Sequence, residues 1–215
     1  MTQAAHRLYP LTTQMRVRAG TDYVDFIRRL LRGEAEVSAR PDFGEYDLRF
    51  FDDVGAMRRA IFAQDASRGL ARLVAGYAWD WVSKRDASAH DIVLDGVSMR
   101  WNSKDTDWID SPGSLQEVGS IHTVQGYDLN FAGVIIGPDL RYDSNSGQLF
   151  IDRDSYRDKK GSENNPRLGI AFTDGDLLQY IRNIYGVLLT RGVLGTYVYV
   201  CDPALRDYVR SRLRQ

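Results

Sequence analysis

The sequence predicts an α/β fold: a mostly parallel β-sheet flanked by helices, with β-hairpin insertions. Three observations carry that prediction. Tyr46 to Phe51, Val54 to Ala63 and Leu70 to Gly76 read as strand, helix and strand, the unit from which parallel sheets are assembled. Gly133-Val-Ile-Ile-Gly137 is apolar throughout, as a strand covered on both faces should be. Near the end, a long apolar helix pattern from Asp176 feeds the strand pattern Gly195 to Val200.

Taken in order, Tyr23, Phe26, Ile27, Leu30 and Leu31 recur at helical spacing and stop at Gly33, which predicts a helix from Asp22 to Arg32. Tyr46 to Phe51 alternates with the period of a strand, and Met57, Ala60 and Ile61 then share one helical face. Asp95-Gly96 separates Ile92-Val-Leu94 from Val97-Ser-Met-Arg-Trp101. Both residues of that pair tolerate positive φ, so a hairpin insertion is expected at about residues 90–102. Val118 to Ser120 and Gly133 to Gly137 are expected as central strands. Residues 141–167 are polar and turn-rich, with one strand pattern at Gln148 to Ile151, and read as a surface excursion. Asp176 is the expected cap of a helix carrying Leu177, Ile181, Ile184 and Leu188, and Pro203 opens a last helix. No repeat, low-complexity stretch or linker divides residues 1–215, so a single domain is expected.

Composition narrows the function classes. The chain has 215 residues, 43% hydrophobic and 27% charged, enough for the core of one large domain. A formal net charge of -1 argues against coating nucleic acid through overall positive charge and leaves a local basic groove as the route. Cys201 is the lone cysteine, and His6, His90 and His122 are widely spaced, so neither an intrachain disulfide nor a metal site is expected. Met1 to His6 lacks a basic-then-apolar pattern and no run reaches the roughly eighteen apolar residues of a membrane span. A cytoplasmic location without membrane contact is the expectation.

Two segments concentrate the chemistry. Ser120-Ile-His-Thr-Val-Gln-Gly-Tyr-Asp128 lies between two predicted strands. Such a loop at a strand's carboxyl end can meet a ligand, and a Gln-Gly turn after a strand also stands without one. Tyr185-Gly-Val-Leu-Leu-Thr-Arg191-Gly192 ends the long helix on an arginine. As a finger on a transferring phosphoryl group such a residue contributes about 10³ to 10⁵ in turnover; as compensation of the helix dipole it contributes only ~0.3 to 1 kcal/mol. Trp79 and Trp81 suit either stacking on unpaired bases or burial in the core. Arg206, Arg210, Arg212 and Arg214 make the last helix basic, suiting either phosphate contact or a solvated face. Pro138-Asp139 with Asp158-Lys-Lys160 loosely matches a Pro-Asp…Asp-x-Lys metal-nuclease pattern.

The first segment resembles the fifth motif of superfamily 1 helicases. Thr12-Thr-Gln-Met-Arg16 resembles the segment that opens their second motor domain, although Met15 stands where an aromatic is usual. A wider set of segments, Leu73 to Trp81, His122 to Gly126, Gly133 to Leu140 and Val187 to Cys201, resembles a helicase-like family related to the Schlafen group 3 helicase domain. The resemblance implies a two-domain P-loop NTPase of RecA-like fold, with this chain as its C-terminal half. Gln125 and Gly126 would then approach the triphosphate and Asp128 the ribose, while Arg16 and Arg191 act as fingers. Ser120, His122 and Thr123 would face single-stranded DNA or RNA, with Trp79 as a candidate stacking residue. No Gly-Lys dipeptide occurs, so ATP and magnesium would be held mainly by an N-terminal RecA-like domain supplied in cis or in trans. Two alternatives remain, a non-catalytic nucleic-acid or protein binding module of the same fold and a metal-dependent nuclease.

Overall fold

The computed structural model describes residues 17–35, 42–158 and 172–213. Helix α1 (Gly20–Arg32) precedes strand β1 (Asp47–Phe50), helix α2 (Val54–Arg68) and strand β2 (Ala71–Ala75). A hairpin of β3 (Ile92–Leu94) and β4 (Val97–Met99) is followed by β5 (Val118–Ser120) and β6 (Leu129–Ile136). A second hairpin, β7 (Leu140–Asp143) and β8 (Gln148–Ile151), precedes α3 (Asp174–Leu189), β9 (Gly192–Val200) and α4 (Pro203–Leu213).

Five strands form one sheet in the order β1-β9-β6-β2-β5, and every pairing in it is parallel. Both faces are covered, which is why the central strands are apolar on both sides. Along β6 the residues alternate: Val134 and Ile136 join a core shared with Ile27, Leu30, Ile181 and Leu188 of α1 and α3. Phe131 and Ile135 join the opposite core, with Met57 and Ile61 of α2. The outcome is the predicted α/β fold, a parallel sheet between helical layers with antiparallel hairpins added.

Local chemistry sets the element boundaries. Gly33 ends α1 at φ +82°, with its N–H and that of Glu34 bonded back to Leu30 and Arg29. Asp53 caps α2 by accepting from Ala56 N at 2.6 Å, and Asp95 accepts from Val54 N at 3.1 Å. The β3–β4 turn, with Asp95 and Gly96 both at positive φ, is therefore fastened to the start of α2.

Two expectations are corrected. β5 is an edge strand, not a central one. Its residues are all buried because Trp108 lies on Gly119 and the chain after β4 runs along its outer side, with Val118 N donating to Arg100 O and Asn102 N to Val118 O. Burial by tryptophan and loop mimics, in sequence, burial between strands. The cap of α3 is Thr173; Asp176 is its third residue and completes a capping box by accepting from Thr173 N at 3.0 Å. Within the segment read as a surface excursion, residues 141–167, Leu149 and Ile151 are buried in the core with α1 and α3, most of the other described residues are exposed or half-buried, and 159–171 lie outside the described residues.

Candidate functional site

The Ser120 to Asp128 segment connects opposite ends of the sheet. Ser120 pairs with Ala75, at the level of Ile135 near the carboxyl end of β6, whereas Leu129 pairs with Gly192 at the amino end. Six residues of β6 separate those levels, about 20 Å at the usual rise of a strand. Residues 121–128 cover that span as successive turns, with Thr123 N bonded to Ser120 O and Tyr127 N to Val124 O. The segment expected as a single loop at a strand's carboxyl end thus runs from the carboxyl end of the sheet to its amino end.

Toward the amino end of the sheet, Gln125, Gly126 and Asp128 precede β6 and Arg191 precedes β9. Gln125, Gly126 and Asp128 are exposed. Gly126 has φ +84° and open space where a side chain would begin, so its backbone is bare in a conformation other residues rarely adopt. Arg191 follows the end of α3 and is only 5% exposed. Its Nη1 donates to Tyr127 O at 3.1 Å, and its own carbonyl accepts from Leu129 N at 3.3 Å. The sequence suggested a guanidinium projecting from the helix end; the structure instead turns it inward onto the Gln-Gly turn. Tyr127 OH reaches Asp107 at 2.5 Å, tying the turn to the loop before β5. Arg16 lies outside the described residues. Among the described residues, Arg18 N donates to Val193 O at 3.1 Å.

At the carboxyl end lies a cleft of about 490 Å³ whose lining includes Tyr77, Trp81, Lys84, His122 and Arg157. Tyr77 stacks on buried Trp101 at 5.4 Å with an 11° interplanar angle. Trp81 and His122 stand edge-on to Tyr77, at 6.5 and 6.1 Å. Lys84 Nζ lies 4.7 Å from the Trp81 ring centre, and His122 lies 3.8 Å from Asp158. Burial, followed by the charges of Asp158 and Asp105, pushes the Tyr77 phenol up to about 12. Ser120 and Thr123 also line the cleft, but Thr123 Oγ1 accepts from Ser120 N and donates to Ser120 O, so it first serves the turn. Trp79 packs against the second core, 6.2 Å from Trp101, and its carbonyl accepts from Trp101 Nε1. Both tryptophans lie in irregular chain after β2 and not on a strand.

Other candidates are held by the protein itself. Asp139 is 1% exposed and accepts a 2.6 Å hydrogen bond from Tyr185 OH, which in turn accepts from Gly137 N. Burial raises its carboxyl to about 6. Among the described residues no group of three or more His, Cys, Asp or Glu could hold a metal, so the nuclease alternative gains no support; Lys159 and Lys160 lie outside the described residues. Arg206 donates to Val200 O, Arg210 pairs with Asp207 and Asp52, and Arg212 donates to Ala35 O. Arg214 lies outside the described residues. Sequence reading missed Tyr77, Lys84, Arg157, Tyr127 and Asp107. Tyr77 had a signal, the aromatic run with Trp79 and Trp81; Asp107 and Arg157, brought in from distant loops, had none.

The parallel α/β sheet thus carries a Gln-Gly turn and an arginine at one end and an aromatic cleft lined by both cations and carboxylates at the other. Residues 1–202 match the family described as Schlafen group 3, DNA/RNA helicase domain, and the chain belongs to that family. It is also 32% identical over 218 aligned positions to Uncharacterized protein YPL245W of Saccharomyces cerevisiae, covering 93% of this chain and 47% of the relative. The chain therefore spans about half the length of that protein. No solved structure matches it. Among the described residues no helix is long and apolar enough to cross a membrane.

Proposed function

We propose that this chain is the second, C-terminal RecA-like motor domain of a nucleic-acid-dependent ATPase, completing an ATP site whose phosphate loop lies in a separate N-terminal domain. The reading is supported by Arg191 Nη1 donating to the carbonyl of Tyr127, the residue that separates Gly126, whose backbone is bare, from exposed Asp128. Gly126 suits a phosphate, Asp128 a ribose diol, and Arg191 with Arg16 the charge that develops on the transferring phosphoryl group. Magnesium would supply charge neutralisation on the phosphates; its carboxylate ligands belong to the other domain. Ser120, His122, Thr123 and the neighbouring cleft suit single-stranded DNA or RNA. The class-level support is membership of a DNA/RNA helicase domain family.

The test is ATP hydrolysis by the intact protein with and without single-stranded oligonucleotides. Arg191→Lys keeps a cation but loses the planar fork, and is expected to lower turnover about 10³-fold while oligonucleotide affinity and melting temperature stay close to wild type. A second reading, a binding module of the same fold, is favoured by the inward direction of the Arg191 guanidinium. It predicts unchanged function in Arg191→Lys, or no hydrolysis by the wild type under any of these conditions.

A further inference from the structure

We infer that the carboxyl-end cleft is a receptor for one unpaired base of a single-stranded nucleic acid, held by Tyr77, Trp81 and His122, with Lys84 and Arg157 at the flanking phosphates. The inference rests on the nucleic-acid side of the function proposed above and adds the ligand moiety and the residues that receive it.

Tyr77 is the centre of a ring cluster with Trp101, Trp81 and His122. Tyr77 is fixed from behind by its stack on Trp101, itself 1% exposed and bonded through Nε1 to the Trp79 carbonyl. Trp81 and His122 make edge contacts with Tyr77 at 63° and 61°, and all three line the same cleft. A planar group of base size entering the cleft would meet aromatic surface, which favours stacking over an aliphatic ligand. The cations stand at the rim. Lys84 lies over Trp81, and Arg157 is anchored by its backbone N–H to Tyr77 O at 2.8 Å while its side chain lies 3.6 Å from Asp80. Asp105 and Asp158 also line the cleft, so its charge is balanced. A balanced, aromatic cleft suits one base with its adjoining phosphates and does not suit a duplex backbone, which calls for a run of uncompensated cations.

The experiment is fluorescence anisotropy of the intact protein with labelled twelve-nucleotide single strands of DNA and of RNA, each also made with abasic sites throughout. Wild type is expected to bind the normal strand more tightly than the abasic one. Trp81→Ala should weaken the normal strand by roughly 5- to 150-fold and leave the abasic strand unchanged, while Trp81→Phe should restore most of the loss. Comparison of the DNA and RNA arms assigns the sugar. Equal binding of normal and abasic strands by wild type, or an unaltered affinity in Trp81→Ala with its melting temperature preserved, overturns the inference. The outcomes separate it from the motor reading. Strand-stimulated ATP hydrolysis with a silent Trp81→Ala keeps the motor and removes the base receptor; base-dependent binding without hydrolysis does the reverse.

Discussion

Asp139 shows how a residue that looks catalytic in sequence can be structural. Its carboxylate follows the central strand β6, where a ligand-binding acid would be sought, yet it is enclosed and bonded to Tyr185 of α3. Its folded pKa of about 6 exceeds the ordinary carboxylate value, so the folded state holds a proton that the unfolded state releases between pH 4 and 6. The sign follows. This group's contribution is most favourable below its unfolded pKa and declines as pH rises through about 6, by roughly 3 kcal/mol in all. Urea unfolding of wild type and Asp139→Asn from pH 4 to 7.5 is expected to show wild type losing stability relative to the variant up to near pH 6.5, then a constant difference. A pH-independent difference would remove the buried-acid account. The tyrosine that holds Asp139 also explains the glycine at 76, where any side chain would run into the Tyr185 ring.

At the scale of elements, α3 joins the two ends of the domain: its start carries the Thr173 capping box and its end delivers Arg191 to the Gln-Gly turn. Thr173→Ala removes the acceptor for Asp176 N and is expected to cost about 1 kcal/mol in urea unfolding, with oligonucleotide binding retained. Much of this level was legible in the sequence. The spacing of Leu177, Ile181, Ile184 and Leu188 predicts the buried face of α3, and Asp95-Gly96 predicts the β3–β4 turn. What local pattern could not reveal was strand order, because it is fixed by contacts remote in sequence. β5 has the composition of an interior strand only because Trp101 and Trp108 supply the cover. The direction of Arg191 was hidden for the same reason, since its acceptor, the Tyr127 carbonyl, is 64 residues away. Gly126 was legible because positive φ is a local property.

For the whole molecule, the motor reading makes a quantitative demand. The amino end of the sheet offers one bare turn, one carboxylate and an arginine, far short of the contacts that enclose a triphosphate. Isothermal titration of ATP into this 215-residue chain is therefore expected to give an affinity no tighter than roughly millimolar, with the intact protein binding far more tightly. Saturable micromolar binding by the isolated chain would sink the shared-site account. The hairpin insertion, which sequence alone left without a purpose, also acquires one at this scale. The chain leaving β4 takes up backbone hydrogen bonds on the outer side of Val118, at the last strand of the sheet. An open parallel edge is a template on which another copy of the same chain can add a strand and seed aggregates. By spending three residues, Arg100 to Asn102, as a stopper there, the insertion closes one of the sheet's two ends to polymerisation.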